Sequence, residues 1–313
     1  MIVVCGEALI DLTPTDHNGT EAFVPRPGGS PFNIAIGVAR LGTPASFLGR
    51  FGDDFFGAQL RDRLTADGVD LTYAVTGPQL TTLAFVHLVD GVEPEFAFYA
   101  ERSADRLLAP GDLPAVFSDD VEALHFGSIS LVLEPGATTL EGLLQREHGK
   151  RVITMDPNVR PGLIPDPDAY RTRLEGLVAL TDVVKVSRAD LDWLYPGEPV
   201  TSVARRWLAM GPSLLVVTLG PDGVLGLTGS GTVQLAGIDV KVADTVGAGD
   251  AFMSGLLAGL HERGALKRGL VGTLGEPELA EILGAANRGA ALTCMRHGAD
   301  PPNRAELEAA LVR

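Results

Sequence analysis

A chain of 313 residues has room for one large α/β domain or two of average size, and its balance of 45% hydrophobic to 21% charged residues excludes wholesale disorder and a fibrous repeat. Asp and Glu outnumber Lys and Arg by 40 to 25, a net charge of −15, so most of the surface repels a nucleic-acid duplex or an anionic bilayer and neither is expected as a partner. A small anion such as a nucleotide can still bind where helix termini and a few cations override the global field.

From the amino end, MIVVCGEALIDL is apolar from its second residue, has no basic n-region and meets Glu7 at once. That is the pattern of a buried first strand rather than a signal peptide. The apolar runs 207–221 and 223–238, without Asp, Glu, Lys or Arg, fall short of the ~18 residues of a membrane span. Cys5 and Cys294 stand far apart and suit buried free thiols in a reducing compartment, so a cytoplasmic location is expected. Aliphatic and β-branched runs predict strands at Ile2 to Cys5, Ala45 to Leu48, Val121 to His125, Val152 to Met155, Val183 to Val186 and Leu214 to Leu219. Ser30 reads as a helix N-cap, Pro31 as the first helical residue, and Ile34, Val38 and Leu41 as an apolar stripe that Gly42 ends. Strands alternating with helical segments imply a parallel sheet with helices on both faces. Two stretches break the rhythm, 17–27 and 81–99, the second with TTLAFVHLVDG and EPEFAFYAE flanking a Gly91 turn like a hairpin. They are expected to form a small sheet appended to the main layer, a lid.

Glycine-rich segments carry the chemistry. RPGGSPFNIA (26–35) sets Gly28 and Gly29 directly before the first helix and Asn33 on its first turn. Adjacent glycines let a ligand approach the backbone, although a loop-to-helix junction also calls for them. Asp11 is a carboxylate able to accept hydrogen bonds from hydroxyls, or else a turn residue. DTVGAGDAFMSGLLAGL (244–260) opens a helix with Gly247, Ala248 and Gly249, places Asp250 in its first turn, and continues an apolar face through Phe252, Leu256, Leu257 and Leu260. Free N–H groups at such a start form an anion hole for a transferring phosphoryl group. That arrangement is more specific than an acidic residue answering the helix dipole requires. TLGPDG (218–223) follows an apolar strand and is good turn chemistry whatever its function. MDPNVRPGL (155–163) puts Asp156, Asn158 and Arg160 just past a strand's carboxyl end, where open α/β sheets bind ligands. The chain has no GxxxxGK[ST], no GxGxxG after the first strand, and no CxxC or HExxH, which removes the P-loop, the dinucleotide fold and the common metal spacings.

Taken together, these segments resemble the ribokinase-like sugar kinases, the PfkB family, from Met1 into the C-terminal region. GGSPFN with GRFGDDFFG (49–57) looks like the family's N-terminal signature, and DTVGAGDAFMSG like its C-terminal one. GEALIDL, GGSPFNIAIGVARLG, TTLAFV and DPNVRPGL look most like the bacterial fructokinases within it. The resemblance implies a single ribokinase-like kinase domain over 1–313, a three-layer α/β/α fold with a mainly parallel central sheet, and a small β-sheet lid from segments near 12–27 and 79–104. It also implies roles. Asp250 matches the catalytic base, Gly247, Ala248 and Gly249 the anion hole, and Arg160 a cation that stabilises phosphoryl charge. Asp11, Gly28, Gly29, Asn33 and Phe98 match the sugar site, and Lys185, Ser187, Thr218, Gly220, Gly223 and Asn287 the nucleotide site. Asp244, with the carbonyls of Val246, Thr293, Arg296 and Gly298, matches a monovalent-cation site. Asp53 fits the N-terminal signature in a structural role.

The chain departs from the family pattern in two places. Where Asn-x-x-Glu is usual it has Ser187-Arg188-Ala189-Asp190, so the shorter carboxylate of Asp190 is expected to reach magnesium through water. Where sugar-acid kinases of the 2-keto-3-deoxygluconate type follow an aromatic pair with Arg, Phe98-Tyr99 precede Ala100, and Arg102 lies two positions out of register. The expected activity is ATP-dependent phosphorylation of a primary hydroxyl, D-fructose to fructose 6-phosphate first. Rival acceptors are 2-keto-3-deoxygluconate, ribose or another ketose, and the rival of a different class is a non-catalytic sugar sensor. Mg²⁺, ATP and K⁺ are the expected cofactors, sugar and ATP the partners, and the lid the surface of a homodimer.

Overall fold

The computed structural model describes residues 1–87 and 95–310, and the expected Gly91 turn lies outside the described residues. In chain order the strands are β1 (Ile2–Cys5), β2 (Leu9–His17), β3 (Thr20–Gly28), β4 (Ala45–Leu48), β5 (Arg50–Gly52), β6 (Val75–Gly77), β7 (Leu83–His87), β8 (Glu95–Tyr99), β9 (Ala123–Gly127), β10 (Val152–Asp156), β11 (Val183–Ser187), β12 (Leu214–Thr218), β13 (Val224–Thr228) and β14 (Thr232–Leu235). The helices are α1 (Ser30–Arg40), α2 (Phe55–Ala66), α3 (Gly136–Glu147), α4 (Pro167–Val178), α5 (Arg188–Leu194), α6 (Val200–Leu208), α7 (Ala248–Glu262), α8 (Glu276–Cys294) and α9 (Arg304–Ala309).

An eight-stranded sheet in the order β14-β13-β12-β11-β10-β9-β1-β4 forms the middle layer. From β4 across to β12 every pairing is parallel, and only β12–β13 and β13–β14 are antiparallel. All residues of β1, β4, β9 and β10 are buried, as strands covered on both faces must be. The two-residue period of a strand divides them between two cores. Ile2 and Val4 pack with α1, α2, α7 and α8, and Val3 and Cys5 with α3, α4, α5 and α6. The three layers are those the resemblance implies. On the first face α7 buries Phe252, Met253, Leu256, Leu257 and Leu260, each contributing roughly 1.5 to 3 kcal/mol. That burial fixes the direction in which the amino end of α7 points.

Local boundaries differ from expectation in instructive ways. β9 starts at Ala123 rather than Val121, and β12 ends at Thr218 because Leu219 turns into the helical turn Gly220–Asp222. Helix α1 is capped by Gly29, not Ser30, and Pro31 is its second residue. The Ser30 hydroxyl is drawn away by a partner 220 residues distant.

The second sheet has the order β3-β2-β7-β8 and begins at Leu9, earlier than the expected boundary near 12. Its β2–β3 hairpin turns on Asn18 and Gly19, both at positive φ, as a tight two-residue hairpin requires. Register aligns Asp11 with Arg26 and Ala84, and Ala84 with Phe98. Those four share one face. Leu12, Pro25, Phe85 and Ala97 share the other. Cys5 is buried, Cys294 half-buried, and both are free thiols. Among the described residues no helix is long and apolar enough to cross a membrane.

Candidate active site

The site lies beyond the carboxyl ends of β1, β9, β10, β11 and β12, where the small sheet and the amino end of α7 converge. Gly247 caps α7 in the left-handed conformation, with φ 78°. Of the three small residues expected to form the anion hole, Ala248 is otherwise occupied: its N–H donates to the Thr245 carbonyl at 3.2 Å. The tight turn entering the helix causes this. Among the described residues the N–H groups of Gly247, Gly249 and Asp250 have no backbone acceptor, so the donors left for an anion lie on either side of Ala248.

Asp250 is 7% exposed. Its Oδ1 accepts from Ser30 Oγ at 2.7 Å and its Oδ2 from Asn33 Nδ2 at 2.8 Å, so the amino end of α1 holds both oxygens. Burial pushes this carboxyl above its ordinary value, while the two hydrogen bonds and the charges of Lys185 and Arg160 pull it back. Ser30 is a site residue that the sequence reading missed, because a serine beside a helix start reads locally as a cap.

Asp11 faces this pair from β2. Burial, and then the charge of Asp250, push it up to about 7 against the pull of Arg160. A methyl group on Gly28 would sit 2.2 Å from Asp11 Oδ2, so a larger residue here would displace the Asp11 carboxylate. Gly29, at φ 105°, completes the sharp entry, and its carbonyl accepts the Asn33 N–H at 2.9 Å. Glu7, buried at the end of β1, is held by Ser130 and pushed up to about 7, chiefly by burial. Phe98 packs with Leu9, Ala84 and Ile129, and Phe96, two residues before it, lies on the same face. The Arg160 guanidinium sits 5.8 Å over the Phe96 ring, and its Nη1 donates to Asn158 Oδ1 at 2.6 Å. Phe96 was legible from alternation along β8 but was not singled out.

On the nucleotide side, Thr218, Gly220 and Gly223 line the turn from β12 to β13, with Gly223 at φ 103°. Asn287 on α8 donates to the Ala236 carbonyl at 3.0 Å, so it borders the segment after β14. Two residues make contacts within the protein that the sequence did not suggest. Lys185 is 3% exposed and its Nζ donates to Asp156 Oδ2 at 2.7 Å. Asp190 Oδ2 accepts from the N–H and Oγ of Ser187 as a capping box, and its Oδ1 accepts from the Val159 N–H at 2.9 Å. The short Asp side chain folds back onto the helix start, which leaves water-mediated reach through Oδ1. Among the described residues no group of three His, Cys, Asp or Glu is placed to hold a metal.

The expected monovalent-cation residues do come together. Asp244 accepts from the N–H groups of Val246 at 3.0 Å and Gly298 at 2.8 Å, which joins the loop before α7 to the loop after α8. Thr293 and Gly298 carbonyls accept the N–H groups of Arg296 and Asp300, and each keeps a second lone pair. Asp53, away from this loop, donates its N–H to the Gly77 carbonyl at 2.8 Å, a backbone link between the segments that follow β5 and β6.

A carboxylate beside free helix N–H groups, with a second carboxylate across from it and Arg160 at the edge, can take a proton from a hydroxyl and stabilise a phosphoryl group in flight. The model of the pfkB family carbohydrate kinases matches residues 1–306. The chain is 43% identical over 280 residues to the fructokinase of Rhizobium leguminosarum bv. trifolii, spanning 89% of this chain and 85% of that protein. Among solved structures, fructokinase with bound ATP from Xylella fastidiosa superposes with a TM-score of 0.89 at 30% identity, over 99% of this chain and 98% of that one. Fructokinase from Vibrio cholerae O395, in a form with fructose, ADP and calcium ion bound, gives 0.86 at 30% identity over 98% and 97%.

Proposed function

The chain belongs to the pfkB family of carbohydrate kinases, and from that premise we propose that it transfers the γ-phosphoryl group of ATP to the 6-hydroxyl of D-fructose. The observation that carries this reading is Asp250, buried on the first turn of α7 with both oxygens oriented by α1. Asp250 takes the hydroxyl proton as the sugar oxygen attacks phosphorus, the bond to the bridging oxygen of ADP breaks, and the N–H groups of Gly249 and Asp250 receive the phosphoryl oxygens. Asp190 is the residue that would meet, through water, a magnesium ion brought by the nucleotide, and that ion would neutralise phosphate charge. Arg160 adds a cation at the edge. Asp11, Gly28, Gly29, Asn33 and Phe98 hold the sugar, and the β12–β13 turn with Asn287 holds the nucleotide. Asp244, which joins Val246 and Gly298, and the neighbouring carbonyls would hold a monovalent cation, and its charge would steady the anion-binding turn.

In this reading the chain is one kinase domain working in the cytoplasm, and the small sheet is its lid. The buried acids Glu7 and Asp250 and the half-buried Asp11 favour a neutral sugar over a sugar acid, and Ala100, buried, offers no charge to a carboxylate. The outer face of the lid carries Phe23, Phe85 and Tyr99, with successive ring centroids 5.1 and 5.2 Å apart and Tyr99 66% exposed, and it pairs two copies of the chain. A coupled ADP-release assay across fructose, ribose and 2-keto-3-deoxygluconate, with the phosphorylated carbon located by NMR, tests the acceptor. Fructose 6-phosphate as the best product supports the reading, and a higher kcat/KM for the sugar acid overturns it. Chelation should abolish activity and Mg²⁺ restore it. Light scattering of a Tyr99→Glu variant should show loss of the dimer.

A further inference from the structure

The segment GRFGDDFFG (49–57) takes no part in the chemistry described above. It runs through β5 into α2, which buries Leu60 and Leu64 in the core, so it belongs to the main body of the molecule. Asp54 reads locally as the N-cap of α2, and its Oδ1 accepts from the Gly57 N–H at 2.7 Å. A cap needs one oxygen. The carboxylate also takes both donors of a residue 27 positions on: Thr81 Oγ1 donates to Oδ1 at 2.7 Å, and the Thr81 N–H to Oδ2 at 2.7 Å. Two glycines of the segment make room for this. A methyl group on Gly52 would lie 2.9 Å from the Thr81 nitrogen, and one on Gly57 would lie 2.0 Å from the Gly52 carbonyl oxygen. Arg50, in the same segment, donates from Nη2 to Gln79 Oε1 at 3.0 Å and from Nη1 to Asp112 Oδ2 at 2.8 Å. Gln79 and Thr81 precede β7 and Asp112 follows β8, so the segment grips both roots of the β7–β8 hairpin.

We propose that Asp54 is a positioning residue for the sugar site: by holding Thr81 it fixes the root of the lid, and through β7 it places the carboxylate and the ring that meet the sugar. This rests on the reading of the small sheet as a lid over fructose. The path is short. The carbonyl of Thr82 accepts the Ile10 N–H at 3.0 Å, and from there the register sets Leu83 beside Ile10 and Ala84 beside Asp11. Ala84 pairs in turn with Phe98 on β8. A shift of Thr81 therefore moves Asp11 and Phe98 together. Asp105 closes the same root on itself, accepting from Ser103 Oγ at 2.8 Å and from Thr82 Oγ1, so the strand leaving the lid follows the strand entering it. Capping alone does not call for aspartate. Serine caps a helix as well, but its single oxygen, one bond shorter, does not span to Thr81. Hydrogen bonds to a charged acceptor are the stronger kind, and Asp54 accepts three of them.

The test compares wild type with Asp54→Ser, which keeps a cap for α2 and removes the hold on Thr81, and with Thr81→Val, which removes only the hydroxyl bond. Hydrogen–deuterium exchange without ligands reads the lid directly. Amides of β7 and β8 should exchange at least about tenfold faster in Asp54→Ser, and less so in Thr81→Val, while those of α2 stay near wild type. Steady-state kinetics reads the site. KM for fructose should rise about tenfold or more, with KM for Mg·ATP nearly unchanged. Unchanged exchange in β7 and β8 overturns the proposal, and so does equal loosening of α2, which is what a cap alone would give. Faster exchange of the lid with unchanged KM for fructose also overturns it, because the anchor then does not place the sugar site. If Asp54→Ser does not fold by circular dichroism, the same readings on Thr81→Val decide. A wild-type protein that does not phosphorylate fructose is a different result: it removes the reading of the substrate, and the exchange measurement still judges the anchor.

Discussion

Replacing Asp11 by Asn should make the protein more stable above neutral pH while weakening its hold on sugar. The Asp11 carboxyl is pushed from its ordinary value of 3.8 up to about 7, first by burial and then by the charge of Asp250. Fully expressed, that displacement corresponds to about 4 kcal/mol. Because the side chain keeps some exposure, solvent screening brings it to ~2 to 3 kcal/mol. The sign follows from proton linkage. The folded state retains a proton that the unfolded chain has lost, so the penalty is small near pH 4, grows as pH rises, and is complete above about pH 7. Asn carries no such penalty. For a chain of 313 residues the expected gain in Tm above pH 8 is ~3 to 5 °C, shrinking to about a third of that near pH 5. Differential scanning fluorimetry of both proteins across that range measures it. Meanwhile KM for fructose should rise about ten- to a hundredfold, the loss of a hydrogen bond to a charged group. A variant that is less stable at pH 8, or whose advantage is the same at both pH values, would refute the reasoning.

Ser30→Ala removes the donor to Asp250 Oδ1, so the acid limb of the pH–rate profile should move upward and kcat fall about tenfold near neutrality; an unmoved limb contradicts a role for Ser30 in holding the base. Gly28→Ala places a methyl group against Asp11 Oδ2, and sugar KM should rise at least about tenfold with near-native circular dichroism; unchanged KM would mean that Asp11 does not contact sugar. K⁺ should stimulate turnover more than Na⁺ through the loop that Asp244 ties to Gly298, and equal rates in the two salts at fixed ionic strength would remove that site from the mechanism.

The main sheet was legible because strands covered on both faces are continuously apolar, as in Ile2 to Cys5 and Leu214 to Thr218. The glycine-led start of α7 was legible for a related reason: small residues before an apolar helical face leave few other conformations. Partners distant in sequence were hidden. Ser30 obeys the local rule for a cap, and only the packing of α1 against α7 turns its hydroxyl toward Asp250. A lone lysine in VVKVS gives no sign of its partner. The parallel register of β10 with β11 sets Met155 beside Val184, and the next residue along each strand makes the Asp156–Lys185 pair. The role of Asp190 depended on side-chain length, since one methylene fewer than Glu lets the carboxylate close a capping box with Ser187.

The central claim is that Asp250 is the base in phosphoryl transfer to fructose, and Asp250→Asn tests it most directly. Asn keeps the size and the contacts to Ser30 or Asn33 but cannot take a proton. Calorimetric titration with fructose and Mg·ATP, alongside single-turnover formation of fructose 6-phosphate, should show both ligands still bound and the transfer rate reduced by at least ~100-fold. A variant that binds both and transfers at close to the wild-type rate would contradict the account.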